Sequence, residues 1–333
     1  MEINFRTKGL MVMKDKSKLI VFGLLIVLLL NGCQGAPSKD EGLTVYTSIY
    51  PLYETANKVA GDNITVKLVV PNGAELHSYR PTPKQIAKLE RSALFFYNGV
   101  GLEPWANDVK ENLTDSKSKM INISQYVNLI DYNKNNIGHS SNDHEPESKN
   151  NHKHQGQYDP HLWLDPLNMK RIAQKMKVEF SELDPENQKD YQKNYEEFAK
   201  QINKLDQKYQ SVLSNKTQDH ILVSHSAFGY LGHRYGFEQL SVTGVAPHEE
   251  PSPGALARLT TYAQEHNLEY IFMETLASPK TVNVLAKEAN LKVLELNPVA
   301  GLTKKEKESG EDYFTLMYQN LENLKKALVE ENE

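Results

Sequence analysis

The sequence predicts an α/β protein, with an α/β unit in each half of the chain and one long helix between them. Three observations carry this reading. Apolar runs that are continuous rather than alternating recur along the chain, as expected of parallel strands covered on both faces. Helical stretches separate them, the order that builds α/β units. Between the halves, Tyr191, Tyr195, Phe198, Ile202, Leu205, Tyr209 and Val212 fall at alternating steps of four and three. That spacing is one apolar stripe on a helix.

In the first half the strand-like runs are Leu43–Ile49, Ile64–Val70 and Ala93–Tyr97. In the second they are His220–Ser224, Glu238–Val245, Tyr270–Glu274 and Lys292–Leu296. No Pro or Gly interrupts residues 186–214, so a single rod long enough to touch both halves is expected. The organisation that follows is an N-terminal lobe over 43–168, a connecting segment over 169–216 and a C-terminal lobe over 217–333. Tyr313, Leu316, Met317, Leu321, Leu324 and Leu328 mark a second amphipathic helix that packs on the last lobe.

Composition narrows the class. With 333 residues, 39% hydrophobic and 24% charged, the chain has the length of about two globular units and is neither fibrous nor broadly disordered. Residues 1–32 carry Arg6, Lys8, Lys14, Lys16 and Lys18 against Glu2 and Asp15, so the remainder is more acidic than the overall −5. An acidic body lacks the basic footprint of a nucleic-acid binder.

The N-terminus reads as an address. Leu19 to Leu30 is an unbroken apolar run preceded by a basic stretch. It is shorter than the roughly 20 residues of a membrane span and suits a secretory signal. Leu30-Asn31-Gly32-Cys33 then resembles a bacterial lipobox, in which the cysteine is lipidated and becomes the new N-terminus. Cys33 is the one cysteine of the chain, so acylation would account for a thiol that has no internal partner. The expectation is a lipoprotein signal peptide over 1–32, a polar tether over 33–42, and a protein anchored by its lipid to the outer face of the cell membrane.

Residues 138–157 contain no aliphatic or aromatic side chain but hold His139, His144, His152 and His154. Such a loop cannot bury enough to order itself, and its imidazoles suit auxiliary metal capture. Three other histidines lie in distinctive surroundings: His77 in GAELHSYRPTP, His161 in DPHLWLDP and His225 in VSHSAFGYL. His77 follows one predicted strand and His225 ends another, where ligands collect in open α/β sheets. Three imidazoles would bind a first-row divalent ion and leave one coordination position open. His220, His233 and His266 read as structural, whereas His248 in APHEEPSPG sits in a loop that could line the same cleft.

These segments, with HEEPSPG, FMETLASPK and LNPVAGLT, resemble the metal-binding lipoproteins of bacterial ABC uptake transporters, the solute-binding class for zinc and manganese. The resemblance runs from about residue 42 to the C-terminus. It implies two (β/α)-type lobes joined by one long backbone helix, with metal in the interlobe cleft. His77, His161 and His225 match the three family histidine ligands, and the His-rich loop together with His225 points to Zn2+. Family members often add a fourth, carboxylate ligand near an LNPLE motif. Here Asn297 and Ala300 occupy those positions; Glu295 and Glu274 lie nearby without a clean motif match, and water, Glu295 or a histidine of the His-rich loop is left to complete the tetrahedron. The implied partners are an ABC permease with its ATPase, and a monomeric state is expected.

A manganese or iron receptor of the same fold, a zinc hydrolase and a metal-stabilised adhesin are the rival readings. No HExxH motif occurs. Glu249, Glu250 and Glu274 are the formal candidates for a general base.

Overall fold

The computed structural model describes residues 43–112, 118–132, 136–137, 158–244, 252–274 and 279–329. Cys33, the four histidines of 138–157, and the segment with His248, Glu249 and Glu250 lie outside them.

The first sheet is four-stranded and wholly parallel, in the order β2-β1-β3-β4. Its strands are β1 (Thr44–Thr47), β2 (Thr65–Leu68), β3 (Leu94–Tyr97) and β4 (Lys119–Asn122). Three helices accompany it: α1 (Tyr50–Ala60), α2 (Pro83–Leu89) and α3 (Trp105–Asn112). Alternation along the strands splits the apolar residues between two cores. Tyr46, Phe95 and Tyr97 pack with Leu89, Trp105 and Val109, whereas Val45, Phe96 and Ile121 enter the central core beside Ala56 and Val59.

The chain then forms α4 (Pro166–Leu183) and α5 (Gln188–Leu213). Helix α5 has 26 residues, about 39 Å at about 1.5 Å per residue. The expected rod is present, shortened at its start because Pro185–Asn187 form a separate 3-10 turn. Near its beginning Asn194 Nδ2 donates to the carbonyl of Val59 in α1 at 3.1 Å. Close to its end the Tyr209 hydroxyl donates to the carbonyl of Met317 at 2.6 Å. Helix α5 therefore bonds to both halves, and its buried stripe of Tyr191, Phe198, Ile202, Leu205 and Tyr209 belongs to one central core shared by the two.

The second sheet is five-stranded and also parallel, in the order β5-β7-β6-β8-β9. It comprises β5 (Asn136–Ile137), β6 (His220–His225), β7 (Glu238–Thr243), β8 (Tyr270–Met273) and β9 (Lys292–Glu295). Around it lie α6 (Gly229–Tyr235), α7 (Pro253–Glu265), α8 (Pro279–Glu288), α9 (Lys304–Glu308) and α10 (Tyr313–Leu328). Leu222, Leu240 and Ile271 pack against Leu259 and Leu285 on one face. Ile221, Val223 and Phe272 join Tyr209, Leu321 and Leu324 in the central core.

All seven expected strand segments are present. Two further strands are not legible as apolar runs. One is β4, with the sequence KMIN. The other, β5, is two residues long and extends the second sheet, although it lies within the stretch assigned above to the first lobe.

Candidate metal centre

Each histidine is held by a different device. His225 is the last residue of β6, whose apolar body is buried on both sides, so burial of the strand carries the imidazole inward to 3% exposure. His161 sits one residue ahead of the 3-10 turn Leu162–Leu164. There the Asp159 carboxylate accepts from the His161 backbone N–H at 2.9 Å and pairs with its Nδ1 at 2.8 Å. Asp165 then caps α4 by accepting from Leu167 N–H at 2.8 Å, with Pro166 opening the helix. His77 lies in the loop between β2 and α2. The Glu75 carboxylate gathers the N–H groups of His77 and Ser78 at 2.8 and 2.7 Å, which shapes that turn.

The structure brings all three together. One nitrogen from each lies within 4.8 Å of the others. His161 Nε2 and His225 Nε2 are 3.3 Å apart. A tetrahedral zinc site with Zn–N bonds of about 2.05 Å has an N···N edge of about 3.3 Å, so this pair already stands at ligation spacing. His77 completes the cluster, with ring centroids 5.4 Å from His161 and 6.2 Å from His225.

The surrounding hydrogen bonds set the tautomers. His161 Nδ1 faces Asp159, and His225 Nδ1 faces Glu274, which also accepts from the Ser224 hydroxyl at 2.7 Å. A carboxylate at Nδ1 keeps the proton there and leaves the Nε2 lone pair free for a metal. Burial, with His161 facing it, lowers the His77 pKa to about 3. Burial and His225 push His161 well below the ordinary imidazole range. Both rings are thus neutral at physiological pH, the state in which imidazole ligates. Burial raises Asp159 to about 7. Glu75 moves the other way: against its burial, the Ser78 and His77 donors hold its carboxyl below the usual range.

Glu295 is placed elsewhere. It ends β9, the edge strand, and β8 lies between β9 and β6. Two strand spacings of about 4.8 Å put that strand end roughly 10 Å from the end of β6. The Glu295 carboxyl is raised by burial and by Glu306 and Glu311, and it is not in the histidine cluster. On that side of β6 the neighbouring strand is β8, and the residue that follows it, Glu274, is the carboxylate that reaches the site. It does so as the partner of His225 Nδ1. Among the described residues, no carboxylate joins the three histidines as a fourth donor within the same reach.

Sequence reasoning missed Asp159 as the partner of His161, and it named Glu274 as a carboxylate near the fourth-ligand segment and as a candidate base but not as the partner of His225. Their one signal was position: Asp159 precedes the Pro-His of its motif, and Glu274 directly follows β8. His220, read as structural, packs against Tyr262 and His266 with ring centroids 5.8 and 4.5 Å away. The clamp behind the site crosses the fold: Trp163 Nε1 donates to the Pro298 carbonyl at 2.7 Å, and the Tyr313 hydroxyl donates to the Trp163 carbonyl at 2.9 Å. Gly229 is required by close approach, because a Cβ there would meet Asp159 Oδ2 at 2.5 Å.

Residues 45–327 match the family described as zinc-uptake complex component A, periplasmic, or ZnuA. The chain is 34% identical over 294 residues to the high-affinity zinc uptake system protein ZnuA of Bacillus subtilis, covering 88% of this chain and 90% of that protein. It is 33% identical to the zinc-binding protein AdcA of Streptococcus pyogenes over 94% of this chain, and it spans only 61% of that longer protein. The solved structure of the Zn(II)-bound ZnuA-like domain of Streptococcus pneumoniae AdcA superposes with a TM-score of 0.72 at 31% identity, over 86% of this chain and 98% of that domain.

Proposed function

The chain belongs to the ZnuA family, and from that premise we propose that it is an extracytoplasmic receptor that captures Zn2+ and delivers it to an ABC permease for high-affinity uptake. One observation carries the reading: His77, His161 and His225 converge with one nitrogen each inside 4.8 Å, two of them at the edge length of a zinc tetrahedron.

The chemistry follows from the donors. A site of neutral imidazoles favours zinc over manganese, which prefers carboxylate and water oxygen. Burial keeps water from competing, while His77, less buried than the other two, offers the ion its route in and out. With three nitrogen ligands, water or a further side chain completes the tetrahedron. Glu274 is committed to His225 and Ser224, so it orients a ligand rather than serving as a base beside one. We read the protein accordingly as a binding component without catalysis. Because α5 bonds to both halves through one core, release proceeds by small movements of the ligand loops rather than by wide separation of the lobes. Lipid attachment at Cys33 would hold the receptor beside its permease, and the His-rich loop would raise the local zinc concentration.

A competitive titration of the full-length, demetallated chain against a chromogenic zinc chelator tests this. One tight zinc equivalent should be present, and it should be lost in His77→Ala, His161→Ala and His225→Ala. Tight manganese binding that displaces zinc would assign the other metal. Zinc binding that survives all three substitutions would refute the site.

A further inference from the structure

A groove of about 640 Å³ runs along β2, between the first sheet and the segment after β9. It contains none of the three histidines. Strand β2 is the edge of its sheet. The Thr65 and Val69 N–H groups donate to the carbonyls of Leu43, just ahead of β1, and Thr47 at its end, both at 2.9 Å. Alternation along a parallel ladder therefore turns the N–H and C=O groups of Val66 and Leu68 to the open side, into the groove.

Charge supplies a second, independent observation. Lys67, Lys88 and Lys307 line the groove from β2, α2 and α9, and all three are exposed. Among the described residues none of them makes an ion pair. The two acidic lining groups are engaged: Glu54 with Lys58 at 3.5 Å, and Glu311 with Gln319 at 2.8 Å and Ser309 at 3.3 Å. Hydrogen bonds to neutral groups leave the Glu311 charge in place, so three lysines without an ion pair face one such carboxylate and the balance of the groove is positive; its outward backbone has the repeat of a strand.

We propose that this groove is a docking strip for an extended, acidic polypeptide segment that adds to the β2 edge. A main-chain partner satisfies the outward groups of Val66 and Leu68, which a compact anion does not, and acidic side chains meet the three lysines. A second copy of β2 is disfavoured, because Lys67 of one chain would face Lys67 of the other. An edge lysine blunts indiscriminate strand pairing and so selects for an acidic partner. Asn72 lines the same groove and accepts from Leu302 N–H at 3.3 Å, so the docked segment lies next to the loop that carries His77.

The test uses the full-length chain in detergent micelles and a fluorescein-labelled hexapeptide, Glu-Val-Glu-Val-Glu-Thr, with its lysine counterpart as control. Fluorescence anisotropy should show saturable binding of the acidic peptide only. That binding should weaken at least about tenfold in the Lys67→Glu, Lys88→Glu, Lys307→Glu variant, since like charges would then oppose the peptide. Zinc stoichiometry of the variant, measured separately, reports that it is folded. Amide exchange at Val66 and Leu68 should slow when the peptide is bound. Equal binding of both peptides, undiminished binding to the charge-reversed variant, or displacement by citrate without protection of the two amides would overturn the proposal.

Discussion

Replacing Asp159 with asparagine separates a charged orienting partner from a neutral one of the same shape. The carboxylate is 1% exposed and holds His161 through both its backbone N–H and its Nδ1. Its other oxygen, Oδ2, makes no hydrogen bond. In Asp159→Asn the amide oxygen can still accept from His161, but the negative charge that strengthens the Nε2 lone pair is gone, and a buried NH2 replaces Oδ2. Loss of such a partner lowers metal affinity by about 10–100-fold, or about 1.4–2.7 kcal/mol. A second quantity follows from protonation. With the empty-site pKa raised by burial to about 7, Asp159 carries part of a proton near neutral pH, and a dication beside it expels that proton. Wild type should therefore release more protons per zinc than Asp159→Asn. Isothermal titration in two pH 7 buffers of different ionisation enthalpy measures both affinity and proton count. Zinc affinities within threefold of each other, together with equal proton release, would refute the reasoning.

Three further outcomes are expected. Glu274→Gln should weaken zinc by about 10–100-fold in the same titration while leaving one equivalent bound, because His225 remains and only its orienting carboxylate changes; loss of the whole site would mean that Glu274 is itself a ligand. Gly229→Ala should weaken zinc and lower the melting temperature together, since the new Cβ strikes Asp159 Oδ2 at 2.5 Å; an unchanged zinc affinity would detach that contact from the site. For the metal-free protein, the native His77 pKa of about 3 lies below its unfolded value of about 6.5, so acidification favours the unfolded chain, which takes up the proton. The stability this neutral ring contributes is present above about pH 6.5 and is lost toward pH 3, by at most about 1.4 kcal/mol per pH unit. Urea melts of His77→Ala should accordingly show a shallower acid loss than wild type, and parallel curves would contradict the shift.

The legible parts of the fold share a physical cause. Strands such as Leu94–Tyr97 and Ile221–Val223 are buried on both faces, so their sequences are apolar throughout. The stripe of α5 is equally plain because one helix face meets one continuous core. The sequences KMIN and Asn136–Ile137 are strands only because β3 and β7 pair with them, and nothing local announces that. At the site, the three histidines stood out because imidazoles at strand ends and in a tight DPH turn have few structural reasons to be there. Their carboxylate partners did not, since sheet order decides which acidic residue approaches His225. With β8 beside β6 and β9 beyond it, Glu274 reaches the ring and Glu295 does not. Chain proximity to the LNPVAGLT segment had favoured Glu295.

The central claim is that zinc is held by His77, His161 and His225. Zinc K-edge X-ray absorption of the chain loaded with a single equivalent tests it directly. Three imidazole nitrogens at about 2.0–2.1 Å, with the characteristic outer-ring scattering, should fit the spectrum, and one imidazole should disappear in each single alanine variant. A spectrum with fewer than three imidazoles, or one that the three substitutions leave unchanged, would contradict the account.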